Sequence, residues 1–425
     1  MLQPPDISPL IPHSHQLPNG ATLHYFPNSA LQLVKLDITL EAGSRYQQYK
    51  SQTHTANHLF GEATAHHDAR TVAEFLDFRG IVVERSTDVC TATVTFYFLR
   101  RYADELFPLI REMFDTYESP NSQLSLLNSQ LFDACVANRR QQLAVGFQKT
   151  SYVARNRFYE ILYGTEHPLG TYAVPEDMDL LTLDAVIDFI RQYYRLEYAK
   201  LILSGSVDDA LLSLADQYLA PSRSQFSIPN EPLLPPPAPT NSQFSILNSQ
   251  FEKVQSTIRI GRILPMSWDS PDYARFMVLN TVLGGYFGSR LMSNLREDKG
   301  YTYGIYSTTQ IFRGSIVFYI TADVAAQATE DAIVQINHEI ERLRQEPVSQ
   351  DELDRVRNYM MGDFIRSIDG AFEISERYRQ MVSTGIDDRI TTHLLDAVAT
   401  VTPDQLLSLA QTALTGLAQV VAGPC

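Results

Sequence analysis

The second half of this chain repeats the order of the first, and that repetition limits the fold more than any single motif does. A Pro-rich run at 229–239 divides the 425 residues. Before it, the patterning predicts strands over 22–26, 33–40, 81–86 and 90–98, helices over 71–79, 102–117, 133–163 and 183–194, and a closing strand at 200–203 ahead of Gly205. After it come a strand at 256–263, a helix at 272–282, strands at 301–310 and 315–321, a helix at 324–345, and a last strand at 417–422 ahead of Gly423. Ser349-Gln350-Asp351-Glu352 reads as a capping box opening a further long helix, and Thr402-Pro403-Asp404-Gln405 as a second cap with Pro in the first turn. The repeated order predicts an α+β chain of two duplicated sheet-and-helix sandwich domains joined by a Pro-rich linker. The expected division is 1–220, a linker with low-complexity sequence at 221–252, and 253–425.

Within that frame, Val34, Leu36, Ile38 and Leu40 alternate with Lys35, Asp37 and Thr39, the pattern of a sheet with one buried face. The 102–117 helix sets Leu106, Leu109, Ile110 and Met113 on one side. Residues 121–132 (NSQLSLLNSQLF) and 241–251 (NSQFSILNSQF) are near copies of each other. Too short for a coiled coil, they read as low-complexity insertions at tolerant surface sites.

A net charge of −15 argues against nucleic acid and anionic membrane surfaces as partners. Three cysteines without a C-x-x-C pair fit a reducing compartment. The N-terminus has no basic start followed by an apolar run, and no segment approaches the ~18 apolar residues that span a bilayer. The expectation is a cytoplasmic protein with no membrane span.

Two constellations carry possible chemistry. His54-Thr55-Ala56-Asn57-His58 puts two imidazoles four apart, on one face if the stretch is helical, where both can point at one ion. Taken alone, an ordinary helix is the commoner explanation of that spacing. The second lies beyond Leu283-Gly284-Gly285. Arg296 and Tyr303 stand seven residues apart, at a helix end and in the next strand. Such a pair can donate hydrogen bonds to a carbonyl or a developing oxyanion.

Residues 283–307 resemble the C-terminal-half signature of the pitrilysin/insulinase zinc peptidases, especially the two-domain, mitochondrial-processing-peptidase-like branch. Glu160-Ile161-Leu162-Tyr163-Gly164 with His167-Pro168-Leu169-Gly170 is similar to the pattern after that family's long helix. The resemblance implies that His54 to His58 stands where the family carries its inverted motif H-x-x-E-H, whose Glu activates a metal-bound water. Asn57 replaces that Glu, and an amide cannot take a proton from water. The family's third zinc ligand, a Glu, would fall within 139–145, where Arg-Arg-Gln-Gln-Leu-Ala-Val stands, and 134–159 holds no Asp or Glu. His66 and His67 could substitute, although a His-His pair ahead of Asp68 reads as a solvent-exposed loop.

Arg296 and Tyr303, by the same resemblance, match the family's substrate-holding pair, which in this branch can serve an active site shared between two chains. The chain therefore reads as the non-zinc subunit of a heterodimeric zinc endopeptidase acting on unfolded peptides, with Arg296 and Tyr303 orienting substrate in trans. His54 and His58 are expected to bind zinc weakly at most. Zinc is expected in a homologous partner with an intact H-x-x-E-H. A non-enzymatic scaffold, a peptide-binding subunit and an active metallopeptidase with an unconventional ligand set are the alternatives.

Overall fold

The computed structural model describes residues 7–118, 129–220, 244–247 and 255–424. One sheet is built from β1 (His13–Gln16), β2 (Thr22–Pro27), β3 (Leu33–Leu40), β4 (Val82–Thr87), β5 (Ala92–Leu99) and β6 (Lys200–Gly205), in the order β1-β2-β6-β3-β5-β4. The other takes β7 (Phe244–Leu247), β8 (Gln255–Ile263), β9 (Thr302–Phe312), β10 (Ser315–Ala325) and β11 (Ala418–Ala422), in the order β7-β11-β8-β10-β9. β2 runs parallel to β6, and β7 runs parallel to β11. The remaining pairings of the shared order are antiparallel in both sheets. The five-strand plan is thus duplicated in order and in sense, with β1 added at one edge.

One element of that plan contradicts the expected linker. Residues 244–247, the FSIL at the centre of the second NSQ copy, form β7, the counterpart of β2. The ladder of backbone hydrogen bonds along β11 decides its structure, which composition does not reveal. Of the first copy, Ser129–Phe132 opens a helix with Leu131 and Phe132 packed against the core. Residues 121–128, the Pro-rich run and the rest of the second copy lie outside the described residues.

The helices of the first half are α1 (Gln52–Leu59), α2 (Ala69–Phe78), α3 (Ala103–Glu118), α4 (Ser129–Phe147), α5 (Thr150–Tyr163), α6 (Leu183–Tyr193) and α7 (Asp209–Tyr218). Those of the second are α8 (Pro271–Asn280), α9 (Thr329–Gln345), α10 (Gln350–Ser367), α11 (Ala371–Thr384), α12 (Arg389–Thr400) and α13 (Pro403–Ala413). Side-chain caps start several of them: Asp68 accepts from the Thr71 amide at 2.8 Å and Asp208 from the Leu211 amide at 2.7 Å. The Thr402/Gln405 box is complete. The Ser349 box is half made, because Glu352 turns its carboxylate to Arg290, at 2.8 and 2.9 Å. The single helix expected over 133–163 is two, since Lys149 is extended and sends α5 in a new direction. The helix expected from 324 begins at Thr329, because β10 continues to Ala325.

That new direction organises the molecule. Helices of each half close one face of their own sheet. The opposite face is closed by a helix from the other half. Ala154 and Phe158 of α5 pack on Val317, Val420 and Ala422 of the second sheet. Ala371 and Ile374 of α11 pack on Phe26 and Ile202 of the first. Polar contacts pin the exchange: Ser375 Oγ donates to Ser204 Oγ at 3.0 Å, and Tyr163 and Ser315 hydroxyls meet at 2.8 Å. Arg313 grips Glu41 with two bonds of 2.6 and 2.7 Å.

β3 therefore lacks the solvent face that its alternation predicts. Lys35, Asp37 and Thr39 are as buried as their apolar neighbours. Lys35 Nζ lies 3.1 Å from Asp37 and 3.0 Å from Glu376 on α11. Burial raises the Asp37 pKa against the pull of Lys35. Burial also acts to raise that of Glu376, but Arg379 and Lys35 overcome it and hold the carboxyl down to about 2.

Removing only the cation should be far worse than never having had the charges. Lys35→Met is expected to destabilise the chain by about 3–5 kcal/mol, because it strands Asp37 uncompensated. The double variant Lys35→Met/Asp37→Leu should recover most of that loss in thermal unfolding. Equal losses from both variants would mean the triad acts through packing alone.

Candidate functional site

α1 begins at Ser51, whose backbone is left-handed (φ 67°), and it carries both histidines. Their rings stack at 4.4 Å between centroids, so the helical spacing does bring the pair together. His54 is half-buried and His58 exposed. Burial, helped by the charge of Arg139 and by His58, pushes His54 down to about 3. Burial with Arg85 and Arg139 also lowers His58. Both rings are neutral at pH 7.

Asn57 faces the other way. Its Nδ2 donates to the carbonyls of Ser86 (2.9 Å) and Thr93 (3.3 Å), on β4 and β5, while its Oδ1 accepts from Tyr194 at 3.1 Å. Tyr194 and Asn57 are both about 1% exposed. Asn57 is thus a clamp between helix, sheet and core. A carboxylate there would face two carbonyl oxygens.

Within 139–145, where the resemblance places a third ligand, α4 presents Arg139. It donates to Ser51 Oγ at 3.3 Å and is close enough to His54 to depress its pKa. His66 and His67 do not substitute: His67 Nδ1 meets Glu112 at 3.0 Å, and the His66 amide donates to the same oxygen at 3.3 Å. Among the described residues, no three His, Cys, Asp or Glu groups converge closely enough to hold a metal. Two imidazoles facing two guanidiniums, with no carboxylate, do not fit a zinc ion.

The Gly-rich segment is built differently from its surroundings. Residues Thr281–Gly285 and Met292–Asp298 are π-helical, a widening often found at functional sites. Gly284 is required there, since a Cβ would come within 2.7 Å of the Ser307 amide on β9. Arg296 lies over the ring of Phe287 at 4.5 Å, and among the described residues no acid pairs with it. Tyr303, at the start of β9, is 92% exposed, with Phe287 at 60% and Tyr306 at 53%.

Arg296 and Tyr303 do not line the pocket that His54 lines. His54 lines a pocket of about 530 Å³ between the halves, whose far wall includes Gln310 on β9. Tyr303 is seven positions from Gln310 along that strand, roughly 23 Å at the rise of a β-strand. The pocket also gathers Arg155 and Arg259, which sequence reasoning missed. They come from α5 and β8, and no spacing in the chain announces their meeting.

A family model described as "Peptidase M16 inactive domain" matches residues 180–360. "Uncharacterized zinc protease YmxG" of Bacillus subtilis is 21% identical over 359 residues, 83% of each chain. "Non-peptidase homolog YmxG" of Helicobacter pylori is 23% identical over 321 residues, 72% of this chain and 68% of that one. "Mitochondrial-processing peptidase subunit beta" of Saccharomyces cerevisiae is 22% identical over 407 residues, 89% and 84% respectively. The crystal structure of a peptidase M16 inactive domain from Pseudomonas fluorescens superposes with a TM-score of 0.79, at 19% identity over 97% of this chain and 98% of that one.

Asn57→Asp keeps the shape of the clamp but turns donors into acceptors. At pH 7 it should cost about 2–4 kcal/mol in thermal unfolding, a deficit that shrinks as pH falls from the raised folded pKa and is gone by about pH 4, where the acid is protonated and donates again. A wild-type midpoint would show that the clamp carries no weight. His54 makes a second, opposite contribution: unfolded it binds a proton near 6.5, folded not until about 3. Its stabilisation is complete above 6.5 and is lost as pH falls through that window, so His54→Gln should flatten this part of the stability profile.

Proposed function

This chain is a degenerate member of the pitrilysin/insulinase metallopeptidase family, and from that premise we propose that it serves as the non-zinc subunit of a two-chain zinc endopeptidase. The observation that carries the reading is the separation of its two constellations. Among the described residues the histidine end faces guanidiniums with no carboxylate ligand, while half-buried Arg296 and exposed Tyr303 lie outside the pocket that His54 lines.

The partner is a homologous subunit carrying an intact H-x-x-E-H, whose bound zinc supplies the activated water. The work of this chain is electrophilic and positional. The Arg296 guanidinium offers paired N–H donors to a peptide carbonyl, and its stacking on Phe287 limits the orientations it must give up on binding. The Tyr303 hydroxyl offers a second donor from a strand edge. Donors aimed at the oxygen that gains charge lower the barrier to water attack. The exposed rings of Phe287 and Tyr306 give an unfolded peptide apolar surface beside them. One of the relatives is itself named a subunit, which supports the same arrangement.

The test is reconstitution with the homologous zinc subunit and a quenched peptide pool. Arg296→Ala and Tyr303→Phe should each lower kcat/KM by about 10- to 100-fold, with complex formation on size exclusion unchanged. Undiminished turnover would remove the pair from the reaction. Failure to form any complex would remove the subunit role.

A further inference from the structure

In a chain with 49 acids and 34 lysines and arginines, three guanidiniums gathered without a carboxylate are a signal. Arg139, Arg155 and Arg259 all line the pocket of about 530 Å³ at the seam of the two halves. None has a carboxylate partner among the described residues. Arg139 has only neutral contacts, Ser51 Oγ at 3.3 Å and Gln142 Oε1 at 3.5 Å. Arg155 lies at the mouth, over the Tyr152 ring at 5.1 Å. Arg259 lies deep, 7% exposed, stacked over Tyr319 at 4.0 Å with its Nε lacking any acceptor.

Further donors wait in the same wall. Asn156 is 8% exposed and its Nδ2 is unpartnered, as is His54 Nδ1. The one acid lining the pocket, Asp88, is already engaged: it accepts from the Cys90 and Thr91 amides, both at 2.6 Å, and from Thr91 Oγ1 at 2.8 Å. The guanidiniums also converge. Arg155 bears on Arg139, and both Arg155 and Arg259 act on the Tyr159 hydroxyl, which burial nevertheless raises to about 12. Buried cations with unused donors are costly unless an anion completes them, and planar guanidiniums suit the geometry of a tetrahedral oxyanion.

We propose that this pocket, standing where relatives of the zinc type would hold their metal, binds a compact oxyanion of charge −2 or more, namely the phosphate group of a small phosphate ester. The deep position of Arg259 favours a small group over a peptide carboxylate, which brings one charge to three cations. The rings of Tyr152, Tyr159 and Tyr319 would flank whatever the phosphate carries.

Calorimetric titration of the isolated chain with pyrophosphate, at constant ionic strength with chloride as reference, tests this without any partner subunit, so its outcome is separate from that of the subunit reading. Saturable binding at a single site is expected, weakened by about tenfold or more in Arg155→Ala and in Arg139→Gln. Arg155 is exposed, so its variant tests the site without threatening the fold. No binding up to about 10 mM, or binding unchanged in both variants, would overturn the proposal. Tighter binding of a tetraglutamate peptide than of pyrophosphate, at the same arginines, would overturn it in favour of acidic peptides.

Discussion

Each sheet here has two faces to cover and helices of its own half for only one. The second face is closed by exchange, α5 onto the second sheet and α11 onto the first. Everything else in the molecule depends on this. Burying the outer residues of β3 forces Lys35, Asp37 and Glu376 into a compensated triad, and holding α5 across the seam brings Arg155 into one pocket with Arg259 of the other half. The histidine pocket is therefore a product of the interface between the halves, with walls from both.

The residues at the histidine pair do more than fail to hold a metal. Asn57 ties α1 to β4, β5 and Tyr194, so this one amide holds a helix in place. Within 139–145, where the resemblance places a carboxylate, Arg139 sets a cation beside His54. These changes support one another. A glutamate restored at position 57 alone would meet carbonyl oxygens on one side and find no third ligand on the other.

Much of the fold was legible in the sequence because strand and helix periods leave marks that local chemistry cannot hide. Val34 to Leu40 announced its strand, and Thr402 with Gln405 announced its cap. What escaped notice came from contacts distant in sequence. Lys35 and Asp37 look like solvent residues until α11, more than 300 residues later, lies on them. β7 reads as low complexity until β11 supplies a ladder. At the site, the pairing of His54 with His58 on one helix face was readable from their spacing. Tyr194 and Phe287 were not, because a buried hydroxyl and a stacking ring have no spacing rule.

The exchange of α5 and α11 also sets an order of events during synthesis. The first sheet has all its strands once β6 is made at Lys200–Gly205, yet the face bearing Phe26, Ile202, Lys35 and Asp37 has no cover until Ala371–Thr384 leaves the ribosome. At about 5–20 residues per second that interval is roughly 10–30 s. Through it a nascent half-protein presents a bare sheet bearing the Lys35–Asp37 pair before Glu376 joins it, a surface that invites other chains. The charges that look wasteful in the finished core keep that waiting face wet.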